Sequence, residues 1–237
     1  MISRLAAWTA LTVFAATTAH VAEQAPSGNA DPRSPVDQIV FDFGHVGIDY
    51  NVYYRYPFVN HSADTVHIKD IVVHCDCSSA FAVDTLLAPG DSTTINLRYN
   101  TRNFYGPQNK QVTVISDYPS EETLNLFYLS IVGQWFEGVK PDPLAAFFLP
   151  PHKVHTITIP NERYDRLSIA QIDQANDYYD VLPVKGEAGK GESLAIEIRP
   201  SENLQAGTRQ SNVSLTVDPG ELGELIRLTI PIKIVRY

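Results

Sequence analysis

Short stretches of alternating apolar and polar residues recur along most of this chain and predict β-strands. Turn-forming residues such as Gly, Pro, Asn and Asp separate them. In the first half the pattern predicts strands at 39–43, 52–60, 66–74, 93–99, 111–115 and 124–132, with a weaker candidate at 80–83. Helical periodicity nowhere persists beyond about ten residues. The pattern therefore predicts an all-β protein.

The second half of the chain repeats the apolar pattern of the first half at a displacement of 101 residues. This displacement carries Phe58-Val59-Asn60 onto Ile159-Pro160-Asn161, and it carries apolar positions of further strands onto apolar positions. In the last strand the match slips by one residue, so that Leu124 corresponds to Ile226. Matching core faces require such a constant displacement. The repeat predicts two copies of one structural unit.

Two units of about a hundred residues, each with six or seven short strands, predict two tandem immunoglobulin-like β-sandwiches. We assign residues 39–136 to the first and 144–237 to the second, with a Pro-containing linker at 137–143. The alternative is one larger continuous sandwich or jelly roll, and the repeat argues against it.

The N-terminal residues have the features of an export signal. Arg4 precedes an apolar run at 5–16, which is too short to cross a bilayer and is followed by small residues. We therefore predict a signal peptide at 1–22 and a flexible, polar leader at 23–38. No later segment is long and apolar enough to insert into a membrane. The prediction is a periplasmic or secreted protein.

The charge balance excludes one large class of partners. The formal net charge is −9, with 18 Lys and Arg among 237 residues and no basic run. Nucleic acids and anionic membranes are bound through clustered cations, so neither is an expected partner.

Several short motifs resemble an exported bacterial family, domain of unknown function fifteen-seventy-three (DUF1573). They are Phe43-Gly44, Phe58-Val59-Asn60, the pair Cys75 and Cys77, and the turn Pro89-Gly90. The resemblance covers about residues 39–134 and, more faintly, 144–235. It implies an exported immunoglobulin-like module similar to the ASH and major-sperm-protein domains of Hydin-type proteins, without an established activity. His74, Asp76 and Ser78 replace the family's Ser, Gly and Thr around the cysteines.

Cys75 and Cys77 are the only cysteines, and three interpretations of them stay open. In a flat strand, residues two apart lie about 6.5–7 Å from each other, so a disulfide, structural or redox-active, requires the backbone to turn there. Alternatively, Cys75, Cys77 and His74 supply the ligand types for copper or zinc. The third possibility is two free thiols at a strand end. The second unit has Asn176 and Tyr178 at these positions, so its fold does not depend on cysteines.

Motifs of common hydrolases and phosphate-binding loops are absent from the sequence. The leading hypothesis is therefore a non-catalytic, exported binding or scaffold protein of the bacterial cell envelope that binds another envelope component. One alternative is a copper- or zinc-binding or thiol-redox protein that uses Cys75, Cys77 and His74. Another is a two-domain periplasmic chaperone, which would require cations such as Arg55, Lys69 and Lys140 to converge. Tyr53 and Arg55 are candidates for an exposed binding face.

Overall fold

Strands form wherever the alternating pattern predicted them in the first half of the chain. The computed structural model describes residues 34–136, 138–150, 153–220 and 223–237. The predicted signal peptide and most of the predicted leader lie outside these residues. The first-half strands are β1 (Val40–Val46), β2 (Asn51–Val59), β3 (Val66–Val73), β4 (Ser78–Ala82), β5 (Leu86–Leu87), β6 (Ser92–Asn100), β7 (Gly106–Ser116) and β8 (Thr123–Val132).

The second half contains a further set of strands, and the described residues include no helix. They are β9 (Ala146–Phe148), β10 (His155–Pro160), β11 (Arg166–Gln174), β12 (Tyr179–Lys185), β13 (Glu187–Gly189), β14 (Ser193–Pro200), β15 (Gly207–Asp218) and β16 (Ile226–Arg236). The predicted all-β, immunoglobulin-like class is confirmed.

Each half packs a three-stranded sheet against its own part of a shared ten-stranded sheet. The small sheets have the orders β2-β6-β4 and β10-β14-β12. The shared sheet runs β13-β11-β15-β16-β1-β8-β7-β3-β5, with β9 also paired to β16. Two separate hydrophobic cores result, which is compatible with two tandem sandwiches.

The two cores are filled by the inward-facing residues of the alternating strands. Phe43 and Leu126 are fully buried in the first core, and Ile196 and Leu215 are fully buried in the second. Each such side chain contributes about 1.5–3 kcal/mol to the stability through burial. Val36, within the predicted leader, is also buried against the first core.

The internal repeat extends to individual hydrogen bonds. Asn60 and Asn161 are both fully buried, and their side-chain Nδ2 atoms donate to Leu87 O and Ala188 O, each at 3.0 Å. The strand pairs β3–β7 and β11–β15 keep one register, and each shows an irregularity at the equivalent position. A shared backbone plan therefore underlies the repeated sequence pattern.

The repeat prediction was wrong in one detail, the final strand. Val114 pairs with Leu124 in the first half, whereas its counterpart Leu215 pairs with Leu228. Leu124 therefore corresponds to Leu228 and not to Ile226. Both are apolar residues on the same face of β16, so the alternation alone could not distinguish the two registers.

The two halves meet edge to edge through β1. The sequence predicted a strand here but did not predict this contact between the halves. β1 pairs in parallel with β8 and, at His45, with Leu228 of β16. Gly44 has a φ of +64°, and a Cβ there would collide with the Arg227 backbone carbonyl. Glycine is required at this position for both reasons. The family-like Phe43-Gly44 pair thus forms part of the junction between the halves.

Candidate functional site

The Cys75–Cys77 segment is a tight turn that connects β3 of the shared sheet to β4 of the small sheet. Ser78 N donates to Cys75 O at 3.0 Å, and the Cα atoms of Cys75 and Cys77 are 5.1 Å apart. This separation is shorter than in an extended strand, where residues two apart lie about 6.5–7 Å from each other. The two sulfurs form a disulfide. The turn therefore supplies the backbone bend that a disulfide at this spacing requires.

The two sulfurs have different surroundings. Both cysteines are half-buried, but Cys77 packs against the first core, whereas Cys75 lines a surface hollow together with His74 and Lys110. Cys77 N donates to Cys75 Sγ at 3.1 Å, and Ser78 Oγ lies 3.5 Å from Cys77 Sγ. Cys75 is therefore the cysteine that borders the surface hollow.

The start of β4 is fixed to the shared sheet by a buried hydroxyl pair. Ser78 Oγ lies 2.5 Å from Tyr128 Oη, on β8. Burial raises the pKa of the Tyr128 hydroxyl, so Tyr128 stays neutral near neutral pH. This pair anchors the residue that follows the disulfide turn to β8 of the shared sheet.

His74 takes part in a short polar chain along the surface of the shared sheet. Its Nε2 lies 2.8 Å from Thr113 Oγ1, and Thr113 Oγ1 donates to Asn125 Oδ1 at 2.8 Å. Since the Thr113 hydroxyl proton is used toward Asn125, the network assigns the His74 Nε2 proton as the donor to Thr113. His74 Nε2 is therefore already used in a hydrogen bond within the protein.

In this form the proposed metal ligands do not make a metal site. The sulfurs of Cys75 and Cys77 are bonded to each other, so neither is a thiolate, and thiolates are the ligating form. Within the described ranges, no group of three His, Cys, Asp or Glu residues is placed to hold a metal ion. Copper or zinc binding by Cys75, Cys77 and His74 stays a prediction for the reduced protein, and elemental analysis after reduction tests it.

The second half makes the corresponding connection, from β11 to β12, without sulfur. Tyr178 N donates to Asn176 Oδ1 at 3.2 Å, which reproduces the hydrogen bond between Cys77 N and Cys75 Sγ. The Asn176 side chain also donates to Ser211 Oγ at 2.7 Å. A side-chain acceptor at the first position of the turn is therefore common to both halves, and the covalent bond is specific to the first.

The strand that follows the turn, β4, is an open edge of its sheet. Among the strands of the described residues it pairs only with β6, and Phe81 and the adjoining Val83 are 61% and 62% exposed. The sequence offered no signal for this exposure, because two apolar residues at alternate positions predict a core-facing pair. The inward positions are taken instead by Ser78, Ala80 and Ala82, which are small enough to fit under the sheet.

Tyr53 and Arg55 were predicted to mark an exposed binding face, and the structure places them at the contact between the halves. Tyr53 Oη donates to Gln210 Oε1 at 2.6 Å, and Tyr53 N donates to Asn212 Oδ1 at 2.6 Å. Arg55 lies 4.0 Å from the Asp177 carboxylate. The second half therefore covers the β2 edge of the first small sheet.

The three cations considered for a chaperone-type cleft lie at separate places. Arg55 lies at the contact between the halves, and Lys69 is an exposed residue of β3. Lys140 lines a hollow together with Trp135, Phe136, Pro160 and Glu162. The structure does not bring these cations together.

Among the residues that the structure describes, no helix has the length and apolar character to cross a bilayer.

Comparison with known proteins supports the resemblance in the first half. Residues 35–129 match the model of the family "Protein of unknown function (DUF1573)". This range includes the disulfide turn and β4, and the match confirms the resemblance that the motifs suggested. No curated protein matches the chain.

Several solved structures resemble the fold at low similarity. A protein of unknown function from Porphyromonas gingivalis is 14% identical, with 84% of this chain and 98% of that chain covered and a TM-score of 0.32. The CupB2 chaperone of Pseudomonas aeruginosa is 12% identical, with coverages of 85% and 99% and a TM-score of 0.31. An ASH/PapD-like domain of human CEP192 is 11% identical, with coverages of 45% and 92% and a TM-score of 0.34. TM-scores this low carry no argument about function.

Proposed function

We propose that this protein is a non-catalytic binding or scaffold protein of the bacterial cell envelope that takes an extended segment of a protein partner along β4. The observation that carries the proposal is that β4 is an open, uncharged edge strand beside two exposed apolar side chains. Exported proteins of this kind would act in the periplasm or outside the cell.

The backbone of β4 supports strand addition at its free side. Cys77 O accepts from Asn100 N at 2.8 Å, and Val83 N donates to Thr94 O at 3.2 Å, so odd-numbered residues hydrogen-bond toward β6. In an antiparallel pair the alternate residues point the other way. The N–H and C=O groups of Ala80 and Ala82 therefore face the open edge, where an added strand would pair with them.

Other small-sheet edges carry features that oppose such pairing. β12 contains Pro183 and Lys185 and has an irregular register between them. The β2 edge is covered by the second half, and β10 is met by Asp142, which exchanges two backbone hydrogen bonds with Thr158. Proline, lysine, bulges and covering segments are the usual protection of sheet edges. β4, with the sequence Ser-Ser-Ala-Phe-Ala, has none of these within the strand.

The outer face beside β4 indicates the chemistry of the partner. Phe81 and Val83 offer an apolar surface, and Arg98 of β6 pairs with Ser79, whose small side chain leaves room above it. The fitting partner segment would be extended, with apolar residues at alternate positions and an acidic residue near Arg98.

The test uses the variant Ala82→Pro, because the equivalent residue of the second half is already proline. Proline at 82 removes a donor from the open edge and leaves the bonds to β6 in place. Extended peptides selected on the wild-type chain from a displayed library should bind the variant at least about tenfold more weakly, the loss of one to two backbone hydrogen bonds. Binding should weaken similarly with Phe81→Lys and stay unchanged with Leu182→Lys on β12.

Two results would contradict the proposal. One is equal binding of the selected peptides to the wild type and to Ala82→Pro. The other is hydrolase turnover by the purified protein that is lost with a substitution near β4.

A further inference from the structure

One cysteine of the Cys75–Cys77 disulfide lines a hollow that is open to the solvent. Cys75 lines the surface hollow with His74, Asn109, Lys110, Gln111 and Phe127. Cys77 is turned toward the first core, against which it packs. Thiol–disulfide exchange depends on access to the attacked sulfur, so the two sulfurs of this bond are not equivalent.

The second half makes the corresponding connection without a disulfide. Asn176 and Tyr178 stand at the positions of the two cysteines, and the backbone bond after the turn is preserved. Asn100 N donates to Cys77 O at 2.8 Å, and Ser201 N donates to Tyr178 O at 2.9 Å. In addition, the disulfide closes a loop with only one residue between the cysteines, and such short loops constrain the unfolded chain little. A purely structural role leaves the presence of two cysteines unexplained.

The surroundings of the sulfurs stabilise the thiolates that opening would produce. Cys77 N points at Cys75 Sγ at 3.1 Å, and Lys110 lines the same hollow as Cys75, with its ammonium 4.4 Å from the centre of the Phe104 ring. Ser78 Oγ lies 3.5 Å from Cys77 Sγ. Backbone N–H groups and nearby cations favour a thiolate, whereas the exposed Asp76 carboxylate between the cysteines opposes it.

We propose that Cys75–Cys77 is a thiol–disulfide exchange site that a dithiol reductant opens by attack on Cys75 Sγ. The thiolate of the reductant forms a bond to Cys75 Sγ, and the Cys75–Cys77 bond breaks with its electron pair on Cys77 Sγ, which takes a proton from water. The second thiol of the reductant loses its proton and attacks the other sulfur of the reductant, which is bonded to Cys75 Sγ in the mixed disulfide. The reductant leaves as a disulfide, and the Cys75 thiolate is released. Two electrons have moved from the dithiol to the cysteine pair.

This inference goes beyond the proposed function and does not rest on it. Peptide binding along β4 and exchange at Cys75 use different atoms, so either can fail without the other.

The first test opens the disulfide in the folded full-length chain. The oxidised protein is treated with about 1 mM dithiothreitol without denaturant, and new thiols are alkylated and located by mass spectrometry. We expect both cysteines to be labelled while the near-ultraviolet circular dichroism of the folded protein persists. Labelling that occurs only under unfolding conditions, or a loss of tertiary signal together with reduction, would overturn the proposal.

The second test assigns the attacked sulfur. The single variants Cys77→Ser and Cys75→Ser each leave one thiol, and its rate of reaction with dithiodipyridine is measured. Cys75 should react at least about tenfold faster than Cys77, because Cys75 lines the surface hollow with Lys110 whereas Cys77 packs against the first core. Lys110→Gln in the Cys77→Ser background should slow the reaction, with Lys185→Gln as the distant control. Equal rates, or a faster Cys77, would show that the assignment of Cys75 is wrong.

Discussion

The turn after β3 and the turn after β11 make the same backbone bond to the neighbouring strand, from Asn100 N to Cys77 O and from Ser201 N to Tyr178 O, but they are closed by different chemistry. In the first half a covalent bond joins Cys75 and Cys77, whereas in the second half the Asn176 side chain accepts a hydrogen bond from Tyr178 N. Both turns lead into an edge strand of a three-stranded sheet. The difference teaches that the fold requires only an acceptor at the first position of the turn, so the disulfide is an addition to the architecture.

The edge strands that follow the two turns differ in a related way. Phe81 and Val83 correspond to Leu182 and Val184, and all four are exposed. Ala82, however, corresponds to Pro183, so the same place in the ladder is open in one half and blocked in the other. The first half combines the disulfide with the open edge, and the second half has neither.

The largest expected effects test whether the two halves depend on the same buried asparagine. Asn60→Ala and Asn161→Ala each remove a buried amide that donates to two carbonyl groups. Each substitution removes the buried donor to Leu87 O or Ala188 O and should lower the free energy of unfolding by about 2–4 kcal/mol. Urea-induced unfolding followed by tryptophan fluorescence and circular dichroism measures the loss.

Asn96→Ala provides the matched control for these two variants. Its side chain bonds locally to Thr94 on a half-buried surface and should contribute less than about 1 kcal/mol. A cost at Asn60 that greatly exceeds the cost at Asn161 would mean that the second half does not rely on the same buried amide.

The positions of the strands could be predicted from the sequence, but some of their pairings could not. The alternating pattern located the strands of the first half, and the constant displacement located those of the second. The final register was missed, because shifting a strand by an even number of residues keeps its apolar face inward. The parallel pairing of β1 with β16 was missed as well, since its stabilising contacts join Gly44 to Arg227, residues far apart in sequence.

The candidate site was only partly predictable for a similar reason. The spacing of Cys75 and Cys77 indicated that a disulfide requires a turn, and the structure has that turn. The open edge at β4 could not be found, because Phe81 and Val83 have the pattern of core residues. Tyr53 was expected to be exposed, and its hydrogen bond to Gln210 depends on a contact between the halves that local pattern does not encode.

A medium effect is expected when one turn is rebuilt as the other. The double variant Cys75→Asn, Cys77→Tyr gives the first half the residues of the second. Its free energy of unfolding should fall by no more than about 2 kcal/mol, the contribution of so short a disulfide loop. Asn176→Ala, which removes the acceptor from the second turn without replacement, should cost about 1–2 kcal/mol.

Calorimetry measures the stability of these variants against that of the wild type with its disulfide formed. Cys75→Ala, Cys77→Ala is the control, because it removes the disulfide and supplies no acceptor, and it should be less stable than the Asn–Tyr version. If the Asn–Tyr version fails to fold while the Ala–Ala version folds, the two turns are not interchangeable and the comparison is wrong.

The smallest expected effects come from exchanging the residues at the open and the blocked edge. Ala82→Pro should raise the free energy of unfolding by about 0.5 kcal/mol and Pro183→Ala should lower it by a similar amount, because proline restricts the unfolded chain. This sign depends on the N–H of residue 82 facing away from β6. Phe81→Pro, whose N–H faces β6, should instead cost about 2–3 kcal/mol through the lost ladder bond. Calorimetry resolves the difference between the neighbouring prolines. If Ala82→Pro is as costly as Phe81→Pro, then residue 82 already uses its donor within the sheet, and β4 offers no free ladder to a partner.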